Sequence, residues 1–434
     1  MSGSIALVLA GILCVATLGV GCRTASTTSE QGGNIILIVV DTLRADHVGA
    51  YGSSLETPAM DELAANGQVF PNAVSSFHQT TMSMGAMLTG RTPSLESGTR
   101  DQPLQWSGNS FCGMARFGTG HPADRCIPTS IRTLAGSLRD AGYWTIGVVS
   151  NFLLFAPYGY ERGFDDWREV GLSHEERASV SQREASEASS APRVERNAMR
   201  ALAAKPDGKF FLYLHYLDVH EWALEFLGPP LRSAEGRDGY GRHVEAFDKA
   251  LGGFLERLAA EGWLENTTIV LTSDHGEMLD EVPAIDATVT HFGNPSFEPV
   301  LRVPLIVSPA RVTETGRVLR SEDIPGLIHD IAGVPWRPVS GLAAGELLLT
   351  ESEYQTYRSG RWKSMWPRDS DTVHLFDLES DPGEAVNVAA SNPAVLEEHR
   401  RRVTVLTGSL SSAHRSEGMT DEDRRRLRAM GYIQ

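Results

Sequence analysis

The sequence has little cysteine, no surplus of positive charge, no N-terminal apolar run long enough to span a membrane, and no internal repeat. Each absence removes a class of reading. Four cysteines fall in 434 residues. Cys14 and Cys22 lie in the N-terminal apolar segment, which leaves Cys112 and Cys126 in a glycine-rich stretch. Neither has a Cys or His partner at finger spacing, which argues against a structural zinc site built on this pair alone. They pair as one disulfide, worth about 3 kcal/mol on the chain-entropy estimate, or they stand as two unlinked thiols. The net charge of −16 and pI of about 5.3 argue against nucleic acid as a partner and give no general attraction to anionic lipid. A small anionic substrate then has to be drawn in by a local positive site, most simply a metal ion.

Residues 5–20 are uncharged and mostly apolar, yet shorter than the roughly 20 residues of a spanning helix. They fit the apolar region of a signal segment, with small residues at Gly19 and Gly21. Cys22, after Leu18-Gly19-Val20-Gly21, resembles a bacterial lipoprotein cleavage site. It departs in having Gly19 where a large aliphatic residue is usual, and in lacking Lys or Arg among the first four residues. The reading is a signal peptide over 1–22, with Cys22 as a possible lipid anchor, followed by a flexible linker over 23–33. The protein is then exported, periplasmic or in the cell envelope, and tethered to the membrane if Cys22 is lipidated. An uncleaved anchor helix is the alternative.

Four continuous apolar runs, 34–40, 144–149, 210–214 and 268–272, read as strands buried on both faces, the mark of a parallel sheet. They end at Asp41, at Ser150-Asn151, at His215 and at Ser273-Asp274-His275. In open α/β sheets ligands bind outside the carboxyl ends of the strands, so these residues are candidates for one site. Helical patterns lie over 57–66, 130–141 and 241–261. A last core strand covers 305–307. Beyond it, 347–350 and 373–378 are strand-like, and 392–410 and 420–430 are helical. Residues 173–200 are polar, a solvated helix or a loop.

Asp41 at a strand end is costly to bury unless paired or bound to a cation, although alone it reads equally as a helix N-cap. Asp274-His275 offers hard oxygen beside imidazole nitrogen, a donor set that suits Zn, Mn, Mg or Ca. Thr80 precedes a helical stretch, as nucleophile or as cap. A threonine hydroxyl becomes a competent nucleophile when a divalent cation lowers its pKa.

The stretch Thr80-Thr81-Met82-Ser83-Met84-Gly85-Ala86-Met87-Leu88-Thr89-Gly90-Arg91 resembles the sulfatase signature C/S-x-P-S-R-x-x-x-L-T-G-R. Ser83 and the Leu-Thr-Gly-Arg end match. Thr80 stands where the nucleophile belongs, Met82 where Pro does and Met84 where the first Arg does. Threonine has no route to the formylglycine that sulfatases make from Cys or Ser. The run from Asn34 through Asp41, Asp46 and His47 to Gly52 is very like the opening of that family, and Ser273-Asp274-His275-Gly276-Glu277 is a second match. His215-Tyr216-Leu217-Asp218-Val219-His220 resembles the family's H-x-x-D-P-H.

The resemblance implies an alkaline phosphatase/sulfatase-like α/β fold: a central mixed sheet flanked by helices, over 34–312, and a small C-terminal α+β subdomain with a helical tail, over 313–434. It implies one divalent metal ion, Ca, Mg or Mn with Zn possible, on Asp41, Asp274 and His275. Thr80 is then the candidate nucleophile and His220 the group that protonates the leaving oxygen. Asn151, His215 and His291 contact the substrate. Asp218, His220 and His291 are the alternative seat for a second ion. The expected activity is hydrolysis of a small anionic sulfate or phosphate ester. A phosphodiesterase, a phosphoethanolamine-type transferase and a non-catalytic binding protein are the alternatives.

Overall fold

The run Asn34–Val40 becomes β1, at the middle of a seven-stranded sheet. Its alternate residues pack on opposite faces, as a strand with two covered sides requires. Ile35, Leu37 and Val39 join one core, and Ile36, Ile38 and Val40 the other. The computed structural model describes residues 32–94, 104–105, 127, 129, 131–171, 190–222, 234–285, 291, 296–311, 319–337, 341–350, 354–367 and 370–407. Residues 1–22, most of the linker, Cys22, Cys112 and Cys126 lie outside these.

The sheet further contains β2 (Gln68–Val69), β3 (Trp144–Val149), β4 (Asp166–Glu169), β5 (Phe210–Tyr216), β6 (Thr267–Thr272) and β7 (Leu305–Ser308). Their spatial order is β2-β7-β6-β1-β5-β3-β4. The five strands from β6 to β4 run parallel, and β7 is antiparallel to both β6 and β2. The sheet is therefore mixed. The register sets Val39 beside His215 on one side and Thr272 on the other, with His215 also opposite Val149. Consequently Asp41, Asn151, His215 and Asp274 come to the same edge of the sheet. The parallel pairing continues past 214 through Val40↔Tyr216, so His215 lies inside β5, one residue short of its end.

Helices cover both faces. On one side are α1 (Pro58–Ala65), α4 (Ala191–Ala204) and α5 (Ala234–Ala260). On the other are α2 (Thr80–Thr89), α3 (Leu134–Asp140) and α7 (Ile324–Ala332). Between α5 and α7 in the chain comes the short α6 (Glu298–Leu301).

A second sheet, β8 (Glu346–Thr350), β9 (Tyr354–Ser359), β10 (Trp362–Pro367) and β11 (His374–Asp377), is an antiparallel meander. The closing helix α8 (Pro393–Thr407) packs on it through Val403, against Leu348, Tyr357 and Trp366. This C-terminal unit meets the segment around α6 through a buried ionic cluster. Lys363 Nζ lies 3.2 Å from Glu298 Oε1 and 2.7 Å from Glu384 Oε1, and Arg358 Nη1 lies 2.9 Å from Glu298 Oε2. Glu384 Oε2 also accepts from the Glu298 N–H, at 2.7 Å, at the first residue of α6.

Candidate functional site

Thr80 is the first residue of α2, and Gln79 holds the N-cap position in extended backbone without a side-chain cap. Thr80 therefore does not cap its helix, which was one reading of its place in the sequence. A helix start without a side-chain cap is a natural place for an anion, because its first N–H groups have no partner within the helix. One turn on, Ser83 Oγ donates to the carbonyl of Asp274 at 2.5 Å. That bond ties the signature helix to the loop after β6 and accounts for the serine in structural terms.

Thr80 Oγ1 lies 3.5 Å from Asp41 Oδ2 and 3.3 Å from His275 Nε2. Asp41 Oδ2 also accepts from Asn151 Nδ2 at 2.7 Å and faces His215 Nε2 at 3.2 Å. Asp274 Oδ1 accepts from the backbone N–H of Thr42 at 3.2 Å and of His275 at 2.8 Å. The other oxygens, Asp41 Oδ1 and Asp274 Oδ2, are buried and accept no hydrogen bond from the described residues. His275 Nε2 stands 3.5 Å from Asp274 Oδ2. Its Nδ1 is 2.9 Å from the Gly276 carbonyl, which can only accept, so Nδ1 carries the proton and Nε2 the lone pair. All four side chains, Asp41, His215, Asp274 and His275, are fully buried.

The backbone that presents Asp41 is strained. Thr42 has φ 62°, in the left-handed region that a β-branched residue enters only when its surroundings force it. Tyr240 on α5 supplies the force: its hydroxyl donates to the Thr42 carbonyl at 2.7 Å and accepts from the Arg44 N–H at 2.9 Å. Behind Asp274, Gly276 leaves no room for a side chain, since a Cβ there would sit 2.2 Å from the Pro299 carbonyl oxygen. The Gly276 N–H donates to Val300 O at 2.6 Å and that of Glu277 to Pro299 O at 3.2 Å, so α6 backs the loop directly.

Burial pushes the Asp41 carboxyl up. The hydrogen bond from His215, with the electrostatic pull of the surrounding imidazoles of His220, His215 and His275, outweighs it and holds Asp41 well below the usual carboxylate range. Asp274 goes the other way, raised by burial and then by Asp41. Two carboxylates thus share one dry pocket. Among the described residues, no lysine or arginine pairs with either. Asp41, His215 and Asp274 each offer a ligand atom within 4.8 Å of the others. Two orphaned carboxylate oxygens beside imidazole nitrogens fit a divalent cation of the Ca, Mg, Mn or Zn kind.

His220 and His291 complete the gathering. The His291 ring lies 4.4 Å from that of His275 and 5.5 Å from that of His220. His291 Nδ1 is 3.2 Å from both carboxylate oxygens of Glu277, whose Oε2 also accepts from Trp222 Nε1 at 3.3 Å. Burial raises the Glu277 carboxyl well above its usual range and lowers the His291 imidazole well below its own. His78, two residues before Thr80, donates to the His291 carbonyl at 3.1 Å. Sequence reasoning quoted Glu277 without a role and passed over His78; their proximity to two identified positions was the available signal. Asp218 goes elsewhere. Its carboxylate accepts from the Ser190 hydroxyl and from the Ala191 N–H, capping α4. That occupies the carboxylate on which a second ion with His220 and His291 would depend. Asp46 pairs with Arg44 and with His47, and neither Asp46 nor His47 reaches Thr80 in these contacts.

A family model described as "Sulfatase" matches residues 33–329. The chain is 26% identical over 284 residues to the N-acetylgalactosamine-6-sulfatase of Homo sapiens, covering 59% of this chain and 52% of that protein. It thus spans about half the length of that relative. With Arylsulfatase A of Homo sapiens it is 24% identical over 466 residues, covering 88% of each. Among solved structures, a 2-O GAG sulfatase superposes with a TM-score of 0.66 at 16% identity, over 93% of this chain and 98% of that one. The phosphonate monoester hydrolase of Agrobacterium radiobacter gives 0.59 at 17% identity, over 86% of this chain and 95% of that one. The two superpositions show a shared fold.

Proposed function

Because the chain belongs to the sulfatase family, we propose that it is a metal-dependent hydrolase of sulfate or phosphate esters in which Thr80 carries the nucleophile. The observation behind this reading is the Thr80 hydroxyl, 3.5 Å from Asp41 and 3.3 Å from His275, beside two carboxylates with open oxygens. Asp41, Asp274 and His275 would hold the ion, through the two unpartnered oxygens and the Nε2 lone pair. A divalent cation bound there supplies the positive charge that lowers a hydroxyl pKa and offsets the charge of an ester anion.

The chain's own groups have separate tasks. Thr80 Oγ1 forms a bond to the sulfur or phosphorus as the bond to the leaving oxygen breaks, and its proton is released to water. His220, at the position where the family protonates the leaving group, returns a proton to the departing oxygen. Water then hydrolyses the threonine ester and frees the hydroxyl. Asn151 fixes Asp41, and His291, braced by Glu277, faces the substrate space beside His275. Met84, where the family signature has Arg, is fully buried in the core. Contacts to the ester anion therefore fall to the imidazoles of His220 and His291.

The relatives' sulfated sugars and the phosphonate ester of the structural neighbour define the substrates to try. Aryl sulfate, sulfated hexosamine, phosphate monoester, phosphodiester and phosphonate ester, each assayed with Ca, Mg, Mn and Zn, form the test. Turnover of one ester class in a cation-dependent way supports the reading. No release from any of them, with group transfer to an added hydroxyl acceptor, would identify a transferase; no chemistry at all would identify a binding protein. The same proposal divides the chain at 312/313, exports it by residues 1–22, tethers it through Cys22 and closes Cys112 onto Cys126. Mass spectrometry of the mature, non-reduced protein from cell envelopes checks the last three.

A further inference from the structure

We propose that Tyr213 is a positioning residue, whose phenol keeps the proton of His215 on Nε2, so that His215 serves Asp41 as a hydrogen-bond donor and is not itself a ligand of the cation. The proposal rests on the cation site described above and decides between the two histidines beside it.

Tyr213 and His215 stand two residues apart on β5 and so share a face of the sheet. The Tyr213 hydroxyl lies 2.9 Å from His215 Nδ1. The phenol is fully buried, and that is its hydrogen bond among the described residues. Burial, with the nearby charges of Asp274 and Asp41, raises its pKa well above the usual 10, so it keeps its proton and needs an acceptor. His215 Nδ1 is that acceptor. A neutral imidazole with a lone pair on Nδ1 carries its hydrogen on Nε2, and Nε2 faces Asp41 Oδ2 at 3.2 Å. The opposite tautomer would turn Nδ1–H toward the phenol oxygen and leave the phenolic hydrogen buried without a partner.

His275 is wired the other way. Its Nδ1–H is spent on the Gly276 carbonyl, so its Nε2 lone pair faces Thr80 and Asp274. Two histidines at one site thus present opposite groups, a donor from His215 and an acceptor from His275. With Asn151 Nδ2–H and His215 Nε2–H both directed at Oδ2, the Asp41 carboxylate is pinned and its Oδ1 left open. The three ion ligands offered are then Asp41 Oδ1, Asp274 Oδ2 and His275 Nε2.

The test is nitrogen NMR of 15N-histidine-labelled protein, without metal and with Ca, Mg or Mn each added alone. The expected result is a His215 signal with Nε2 protonated in both states, and a His275 signal with Nδ1 protonated. In Tyr213→Phe the His215 tautomers should mix, and cation affinity by calorimetry should weaken roughly 10-fold, the scale of outer partners of metal ligands. His215→Gln, which keeps an N–H donor, should recover part of the affinity lost in His215→Ala. A His215 signal with Nδ1 protonated in the parent overturns the proposal, whether or not a cation is present. So does unchanged affinity in Tyr213→Phe. Failure of the cation site itself is seen separately, as a parent protein that takes up no ion; the His215 tautomer is read in that protein all the same.

Discussion

The protein buries two groups of carboxylates and treats them in opposite ways. At the carboxyl ends of β1 and β6, Asp41 and Asp274 share a pocket with hydrogen-bond donors but, among the described residues, with no lysine or arginine and with one oxygen of each unpartnered. Between α6 and the C-terminal sheet, Glu298 and Glu384 are met by Arg358 and Lys363 at 2.7 to 3.2 Å. Dehydrating a charge is costly in both places. The difference teaches where the chain intends its charge to be balanced. It supplies its own cations where two sheets must stay joined. It withholds them at the pocket proposed above to take a cation and an anionic ester. The two groups also touch through backbone, since Glu298 begins the helix whose Pro299 and Val300 carbonyls hold Gly276 and Glu277.

This contrast can be broken most severely at Thr80. Thr80→Ala should lower turnover by roughly 10³–10⁶-fold, as loss of a nucleophile does, with cation content by elemental analysis unchanged. Full activity in that variant would move the attack to a water. At the balanced cluster the effect is on stability. Lys363→Met leaves two buried carboxylates facing one arginine and should cost about 3–5 kcal/mol in a urea melt; an unchanged midpoint would show that the pairing is not what joins the sheets.

A finer test uses pH. Burial, opposed by Lys363 and reinforced by Glu298, pushes the Glu384 carboxyl up to about 7 from 4.5. The folded state therefore binds this proton more tightly than the unfolded chain, so the contribution of Glu384 declines as pH rises from 4.5 to about 7 and is level above. Glu298, held low despite burial by Arg358 and Lys363, acts in the reverse sense and loses its contribution as pH falls. Parent and Glu384→Gln should diverge by about 3 kcal/mol between pH 4.5 and about 7; parallel curves over that window would mean that Glu384 stays ionised throughout it. The smallest effect is at the unbalanced pocket. Asp274→Asn removes the charge that burial and Asp41 oppose, so the metal-free protein should gain about 1 kcal/mol while losing its cation. A metal-free variant less stable than its parent would contradict the account of this pocket.

How much of this was legible in the sequence follows from the range of the forces involved. β1, β3 and β6 were readable because strands covered on both faces are apolar without interruption, and Asp41 and Asp274 because a carboxylate ending such a strand is conspicuous. His215 was expected just past its strand and lies within it, since pairing with Val40 extends β5 to Tyr216. Tyr213 was open to discovery by simple alternation from His215. Asp218, one member of the alternative seat for a second ion, caps a helix, a role that depends on Ser190, 28 residues away. Glu298, Lys363 and Glu384 carry no local sign of their pairing. Their partners lie 65 and 86 residues apart in the chain, and no local pattern announces which strand face will be covered.

All ten residues of α2 are buried, the polar ones included. Most helices of a soluble protein show one side to water and fray there; this one has no such side. Its amide hydrogens from Met84 to Thr89 should accordingly exchange with deuterated solvent among the slowest in the molecule, on the timescale of global opening and not of local fluctuation. Thr80 is thus mounted on one of the last elements to yield, and under the proposed function an ester would have to conform to the hydroxyl's position, because the hydroxyl has little freedom to come to the ester.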